Sequence, residues 1–210
     1  MTLNEMRALV RCDLRDEDEN NYRWNDDELN RHILHAVKDV SEAVPNEQTI
    51  IIPVISGSRE LDVTGIADRI AIRAVEYPLN FFPKRYRRFS IWKDMLTIID
   101  GEAPAGGNAC IYYEKMHAID DSSSSIPQHL EELVICGACG YAAIEWAAYS
   151  VNRVNIGGSE TPADFLRLGK AKIAYFRSEL KRVAGKNRLR INRLYKPQPP
   201  PPSKITDYGV

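Results

Sequence analysis

Two cysteines and two histidines are the residues of this chain best suited to chemistry. Cys136 and Cys139 form a CxxC pair, a spacing that redox and zinc sites use. The pair lies inside a segment predicted to be a helix, without a second CxxC and without the strand–helix context of a thioredoxin-like motif. We therefore interpret both cysteines as small residues that pack between helices.

The two histidines, His32 and His35, are three positions apart on a predicted helix, with Asp39 nearby. Metal ligation needs three or four convergent groups, and this set is only partial. We interpret it as a solvated polar helix face. The acidic run Asp26–Glu28 stands at a predicted helix start, where the helix dipole favours carboxylates without any catalytic role.

No motif of a known catalytic or nucleotide-binding site is present in the sequence. Gly101–Gly107 lacks the Lys-Ser/Thr pair of a phosphate-binding loop, and GxSxG, HExxH and dinucleotide fingerprints are missing. We expect no cofactor, no metal and no enzymatic activity. A redox or metal-dependent enzyme built on the cysteine pair stays open as a rival hypothesis.

An aromatic and basic stretch, Phe81–Trp92 (FFPKRYRRFSIW), offers a second kind of chemistry. It could bind nucleic acid by base stacking and phosphate contact, or it could form the rim of a sheet whose Phe and Trp pack inward. A nucleic-acid-binding accessory protein is thus the alternative function. It would use Lys84–Arg88 and Lys170–Arg193, and its affinity would fall steeply with salt.

The distribution of charge is more informative than the net charge of −1. Residues 1–47 carry twelve acidic and six basic side chains, whereas residues 166–196 carry eleven Lys or Arg and one acid. Such polarity suits ordered contacts with different partners or with copies of the same chain, and a solvated basic helix face is the simpler alternative.

Composition places the chain among soluble globular proteins. Of its 210 residues, 44% are hydrophobic and 27% charged. The four cysteines indicate reduced thiols, not a secreted disulfide framework. The N-terminus is too polar for a signal peptide, and we see no run of about 18 apolar residues for a membrane span.

Helix signals occur at both ends of the chain. Thr2 with Glu5, and Asn25 with Glu28, have the spacing of capping boxes, and Pro45 follows the end of the second predicted helix. A third helix, rich in Ala and Gly, is predicted from His129 to about residue 149 and should be the central buried helix. A fourth begins at Thr161–Pro162 and is predicted to stop at Gly185.

Between these helices the sequence predicts a β-region. Six short strands are indicated, separated by Gly and Pro turn signals: Thr49–Ser56, Glu60–Val63, Arg69–Tyr77, Phe89–Trp92, Met95–Ile99 and Ala109–Lys115. The predicted fold class is α+β, with a core of about four helices and an inserted small antiparallel sheet or sandwich. Its helical core comprises 1–47 and 122–185, its β subdomain 48–121, and its extended proline-rich arm 186–210.

The arm departs from globular composition. A proline run follows Lys196, and polyproline II extends about 3.1 Å per residue, so residues 205–210 can reach well away from the body. A disordered end is the simpler alternative. We interpret the segment as a docking arm.

The N-terminal segment consists of Thr2–Arg11 (TLNEMRALVR), an Asp-rich loop and Tyr22–Leu29 (YRWNDDEL). It resembles phage head–tail adaptor proteins, which typically open with a short helix, an acidic loop and a Trp-Ser/Thr-Asp-x-Glu-Leu helix start. Ile126-Pro127 and the Ala/Gly-rich segment 130–149 match the family's return to its helical core. The resemblance covers residues 1–45 and 125–180, while the β-insertion and the proline-rich tail are larger than the simplest members carry.

The resemblance implies a structural virion protein of a tailed bacteriophage, present in the host cytoplasm during assembly and then in the neck of the virion. It implies a homo-oligomeric ring of about a dozen copies that joins the portal to the tail or to a second neck protein. Packaged DNA would pass through the ring without sequence-specific contact, and no membrane would be involved. The expected contact residues with the portal or a neighbouring subunit are Arg188, Arg190, Arg193, Tyr195, Pro199, Pro200, Ile205 and Tyr208.

Overall fold

A computed structural model describes residues 1–66, 68–150 and 161–194. The fold is α+β, with four helices and two small sheets. The described chain divides into a helical unit, Met1–Asn46 with Met116–Arg188, and a β unit that contains Glu47–Lys115 and the last residues of the fourth helix from Leu189. The proline-rich tail predicted from the sequence lies outside the described residues.

The helices are α1 Leu3–Leu14, α2 Asp26–Ala43, α3 Gln128–Ser150 and α4 Pro162–Leu194. Both predicted capping boxes are confirmed: Thr2 accepts from the backbone N–H of Glu5, and Asn25 accepts from that of Glu28. In each box the glutamate side chain reaches back to the cap backbone, so the first free N–H groups of the helix are satisfied. The predicted start of α4 is also confirmed, with Thr161 and Asp164 bonded to each other.

Helix α3 is the centre of the helical unit, as its small residues predicted. It is apolar on almost every side, and its buried residues pack against the apolar stripes of α1 and α2. Among the described residues it alone has the length and composition to cross a membrane, yet just over half of that apolar window is buried inside the molecule. The core helix of a globular unit meets the same criterion.

Glycines allow α3 and α4 to approach closely. A Cβ added to Gly169 of α4 would lie 2.9 Å from the carbonyl oxygen of Gly140 and 3.0 Å from the backbone nitrogen of Ile144. A Cβ on Gly140 would lie 2.8 Å from side-chain carbons of Ile173. The two backbones therefore meet without room for a methyl group.

The predicted end of α4 at Gly185 is wrong. The helix continues to Leu194, and Gly185 lies within it without a positive φ. The residues after Gly185 are mostly Lys, Arg and Leu, which are good helix formers, so one glycine costs too little to stop the helix. The segment interpreted as the first part of an extended arm is thus helical as far as Leu194.

The β unit has seven strands, not six: β1 Asn46–Pro53, β2 Glu60–Asp62, β3 Arg69–Glu76, β4 Tyr86–Arg87, β5 Phe89–Trp92, β6 Met95–Ile98 and β7 Asn108–Lys115. The sequence missed β4, which has only two residues and lies in a basic stretch. The prediction for the first strand began three residues late and ran past Pro53. The other predicted strand ends agree with the structure to within one residue.

The strands form a four-stranded sheet in the order β1-β7-β3-β4 and a three-stranded sheet in the order β2-β6-β5. Only Arg88 separates β4 from β5, so a single extended segment contributes to both sheets. Side chains from both sheets share one core, which includes Leu61, Val75, Leu96 and Ile111. This arrangement confirms the predicted small sandwich.

The glycines of α4 provide a matched test of the close helix contact. We expect Gly169→Ala to lower the free energy of unfolding by about 1–3 kcal/mol, because the added methyl meets backbone atoms that cannot move aside. Gly185→Ala, where no atom lies within 4 Å of the added Cβ, should raise it by about 0.5–1 kcal/mol through helix propensity. Urea unfolding followed by far-UV circular dichroism measures both, and a shift of the two variants in the same direction would contradict the packing described.

Candidate functional site

A buried arginine organises the loop between α1 and α2. Arg11 donates through Nη1 to Asp16 Oδ2 at 2.7 Å, and through Nη2 to Trp24 O at 3.0 Å and Asp26 Oδ1 at 2.7 Å. Its guanidinium carbon lies 3.6 Å from the centre of the Tyr22 ring. Arg11 and Asp16 are both buried, and this pairing balances a charge that would otherwise be costly to bury.

The same loop places Trp24 in the core of the helical unit. Asp16 Oδ1 accepts from the backbone N–H of Arg23 at 2.7 Å, which fixes the chain just before Trp24. Trp24 is buried, with its ring centre 5.4 Å from that of Trp146 in α3 and 6.1 Å from that of Phe165 in α4. The tryptophan therefore joins the start of α2 to the two C-terminal helices.

A cavity of about 550 Å³ opens beside this aromatic cluster. Its walls combine aromatic rings with charged groups: Asn21, Tyr22, Arg23, Trp24, Glu28, Glu145, Trp146 and Tyr149. The buried Nε1–H of Trp24 has no hydrogen-bond partner in the described part of the chain. The walls therefore offer ring faces, ionic groups and one unpartnered N–H donor to a bound group.

The histidine pair does not form the fully solvated face that we predicted. His32 is buried between α2 and α3, and its Nε2 lies 2.8 Å from Glu145 Oε2. His35 remains exposed and stacks on the Tyr141 ring with the centres 4.1 Å apart, while Asp39 accepts from the Tyr141 hydroxyl at 2.5 Å. The sequence missed this because Ala and Gly neighbours in α3 bring the helices close enough to cover His32.

Burial and neighbouring charged groups shift the pKa values of His32 and Glu145. Burial lowers the pKa of His32, although the Glu145 carboxylate acts in the opposite direction. Hydrogen bonds from Arg31, 2.5 Å from both carboxylate oxygens, lower the pKa of Glu145. At neutral pH this corner holds a neutral imidazole beside an ionised, arginine-bound carboxylate.

The two cysteines of the CxxC pair lie where α3 meets its neighbours. Cys139 is fully buried, and burial raises the pKa of its thiol to about 12. Burial also raises the pKa of Cys136. A reactive or metal-binding cysteine needs a lowered pKa, so both sites have the character of packing positions. Across the described residues, no group of three or more His, Cys, Asp or Glu could hold a metal ion.

The aromatic stretch Phe81–Trp92 of the β unit is more exposed than expected for a sheet rim whose Phe and Trp side chains pack inward. Phe82 is 100% exposed and Trp92 is 81% exposed, while Phe89 packs against the core. Arg85 lies over the Phe81 ring at 4.7 Å. Lys84 is not a free cation, because it donates to Glu76 at 3.0 Å and to the Tyr112 hydroxyl.

The expected contact residues are only partly described. Arg188 is exposed on α4, and Arg190 and Arg193 lie on the same helix. Tyr195, Pro199, Pro200, Ile205 and Tyr208 lie outside the described residues. The described helix therefore carries the three arginines of this set on its last turns.

Sequence reasoning missed an exposed apolar surface on the three-stranded sheet. Trp92 is paired directly with Met95, and both side chains reach solvent together with Ile99. The alternation of Met95–Ile98 was visible in the sequence, but it could not tell which of its two sides faced the core.

No family model matches this chain, and no curated protein matches it. The described residues provide an aromatic cavity, a basic helix end and an apolar sheet face.

The buried histidine predicts how stability depends on pH. A lowered pKa in the folded state means that the unfolded chain takes up the proton first, so stability is complete above pH 6.5 and is lost as the pH falls below it. We expect His32 to contribute at most about 1.4 kcal/mol per pH unit to the slope of the unfolding free energy against pH. The slope should be flatter in His32→Gln. Urea unfolding between pH 5 and 7.5, followed by the helical circular dichroism signal, measures this, with His35→Gln as control. An unchanged slope in His32→Gln would contradict the assignment.

Proposed function

We propose that this chain is a structural virion protein, a head–tail adaptor of a tailed bacteriophage. In this proposal several copies form a ring that joins the portal to the tail and surrounds the DNA path. The observation that carries the proposal is the basic helix α4, which continues beyond the helical core of a chain whose N-terminal region is acidic.

Helix α4 is longer than its packing requires. At about 1.5 Å per residue, its 33 residues span about 50 Å. Among the side chains described, as far as Leu189, the last ones packed against the core of the helical unit are Leu180 and Val183. Lys186, Arg188 and Leu189 are exposed beyond them, which suits a helix end that meets another molecule.

The segments that resemble adaptor proteins come together in one helical unit. Helix α1, the acidic loop and the start of α2 are connected through Arg11, and Trp24 connects them to α3 and α4. The residues quoted for the resemblance thus hold one structural unit together, which supports a common architecture.

A polarised subunit is suited to a ring. A heterologous contact places two different surfaces of the same chain against each other, and it closes into a ring when the rotation between copies allows. Acidic and basic regions in one chain favour such contacts over symmetric pairing, which would bring like charges together.

Binding to portal-containing heads tests the proposal. We expect the purified full chain to cosediment saturably with DNA-filled heads at a fixed ratio to the portal. A truncation after Leu194 keeps every described helix but removes the proline-rich arm, and it should bind about tenfold more weakly if the arm docks, about 1.4 kcal/mol. The double variant Ile205→Ser/Tyr208→Ser keeps the full length and should show part of the same loss.

Heads that lack the portal are the control for this experiment. Equal binding with and without portal, or no binding of the full chain at all, would contradict the adaptor proposal. Equal binding of the full chain and the truncation would agree with the adaptor proposal but would contradict a docking role for the proline-rich arm.

A nucleic-acid-binding accessory protein is the second candidate, because Phe82 is fully exposed and the exposed Arg85 and Arg88 follow it in the same stretch. Exposed aromatic rings stack on unpaired bases, and the neighbouring cations contact phosphates. Binding to free single-stranded DNA that falls steeply with salt, without binding to heads, would favour this candidate.

A further inference from the structure

The outer side of the three-stranded sheet carries an ordered row of exposed side chains. Strand register places Asp62, Met95 and Trp92 side by side across β2, β6 and β5. Directly paired residues point to the same side of a sheet, and the paired Leu61 and Leu96 face the core. The row therefore points away from the core, with Trp92 81% and Met95 40% exposed.

This tryptophan is held in position by the hairpin that carries it. The two-residue turn Lys93–Asp94 joins β5 to β6, and Arg69 donates to Lys93 O at 2.6 Å and to Asp94 Oδ1 at 2.8 Å. A large aromatic residue on a rigid support loses little conformational entropy on binding, which is typical of an interface anchor.

The border of this surface on β2 is acidic. Glu60 and Asp62 are exposed, and no Lys or Arg of the described chain forms an ion pair with either. Hydrogen bonds from Thr64 lower the pKa of Asp62, so this carboxylate is ionised at neutral pH. The acidic border opposes phosphate, so the surface favours a basic protein segment over nucleic acid.

The chain itself contains a segment of the matching character. Arg182, Lys186 and Leu189 follow the spacing of one helix face on the exposed end of α4. Leu189 is 62% exposed, so its side chain is accessible next to the exposed cations of this helix end. The segment offers one apolar side chain next to cations, as the sheet offers apolar side chains next to carboxylates.

We propose that the row Asp62–Met95–Trp92 of one copy binds the Lys186–Leu189 end of α4 from a second copy. Leu189 lies against Trp92 and Met95, and Lys186 lies against Asp62. Lys186 and Leu189 are about 4.5 Å apart along the helix axis, close to the spacing of about 4.8 Å between the strands of Met95 and Asp62. This inference rests on the proposed function, because a heterologous contact of this kind is what closes copies of one chain into a ring.

Two variants that each remove one side of the contact test it with purified full-length chains and without heads. We expect the wild type to self-associate with rising concentration in analytical ultracentrifugation. Trp92→Ser and Leu189→Ser should each weaken this at least tenfold, since each removes an interface anchor. An equimolar mixture of the two should form one-to-one dimers that grow no further, because each pair retains one intact sheet face and one intact helix end.

Charge reversal provides a second measurement. Asp62→Lys and Lys186→Glu should each reduce self-association, and the double variant should recover it at least in part, because the pair is then restored with opposite polarity. Lys38→Glu, a matched reversal of an exposed lysine on α2, should leave association unchanged. Circular dichroism spectra verify that every variant is folded.

Either of two results would overturn the proposal. One is a wild type that stays monomeric at the highest attainable concentration, and the other is a mixture of Trp92→Ser and Leu189→Ser that does not dimerise. Neither result depends on portal binding, so this proposal and the adaptor function can fail separately.

Discussion

The helical unit depends on one buried cation. Arg11 has to find acceptors inside the protein, and it finds them in Asp16, Asp26 and the carbonyl of Trp24. Breaking such a buried pair by removing one partner costs about 3–5 kcal/mol, because the remaining charge is left uncompensated. This requirement fixes the acidic loop, which in turn directs Trp24 between α3 and α4. Asp16, which belongs to a loop that looks like a flexible acidic linker in the sequence, is therefore buried, while residues 17–22 stay exposed.

The second constraint is steric. Helix α3 consists largely of small residues, so α2 and α4 approach it closely, and Gly140 and Gly169 leave no room for a side chain. The closeness also explains why His32 and the CxxC cysteines are covered and lack the lowered thiol pKa that reactivity needs. Accessible surfaces of the described residues include the exposed end of α4, the cavity beside Trp24 and the outer side of a small sheet. All three suit recognition of another macromolecule.

Sequence reasoning succeeded where a local rule decides the structure. Both capping boxes, the Thr161–Pro162 start and the central position of α3 follow from a few neighbouring residues. It failed where tertiary contacts decide. Gly185 could not stop a helix surrounded by strong helix formers, β4 is too short to leave a pattern, and the burial of His32 depends on α3. The apolar face of Trp92, Met95 and Ile99 was missed for a related reason, because alternation alone does not say which side of a strand faces the core.

The central claim, that this chain is a subunit of a ring at the head–tail junction, is tested most directly by electron cryomicroscopy. DNA-filled heads that contain the portal would be imaged after incubation with the purified full chain. The account predicts a closed ring of density below the portal, in which each copy fits the four-helix unit and its basic α4. Heads without added density at the portal, or with copies scattered over the capsid, would contradict it.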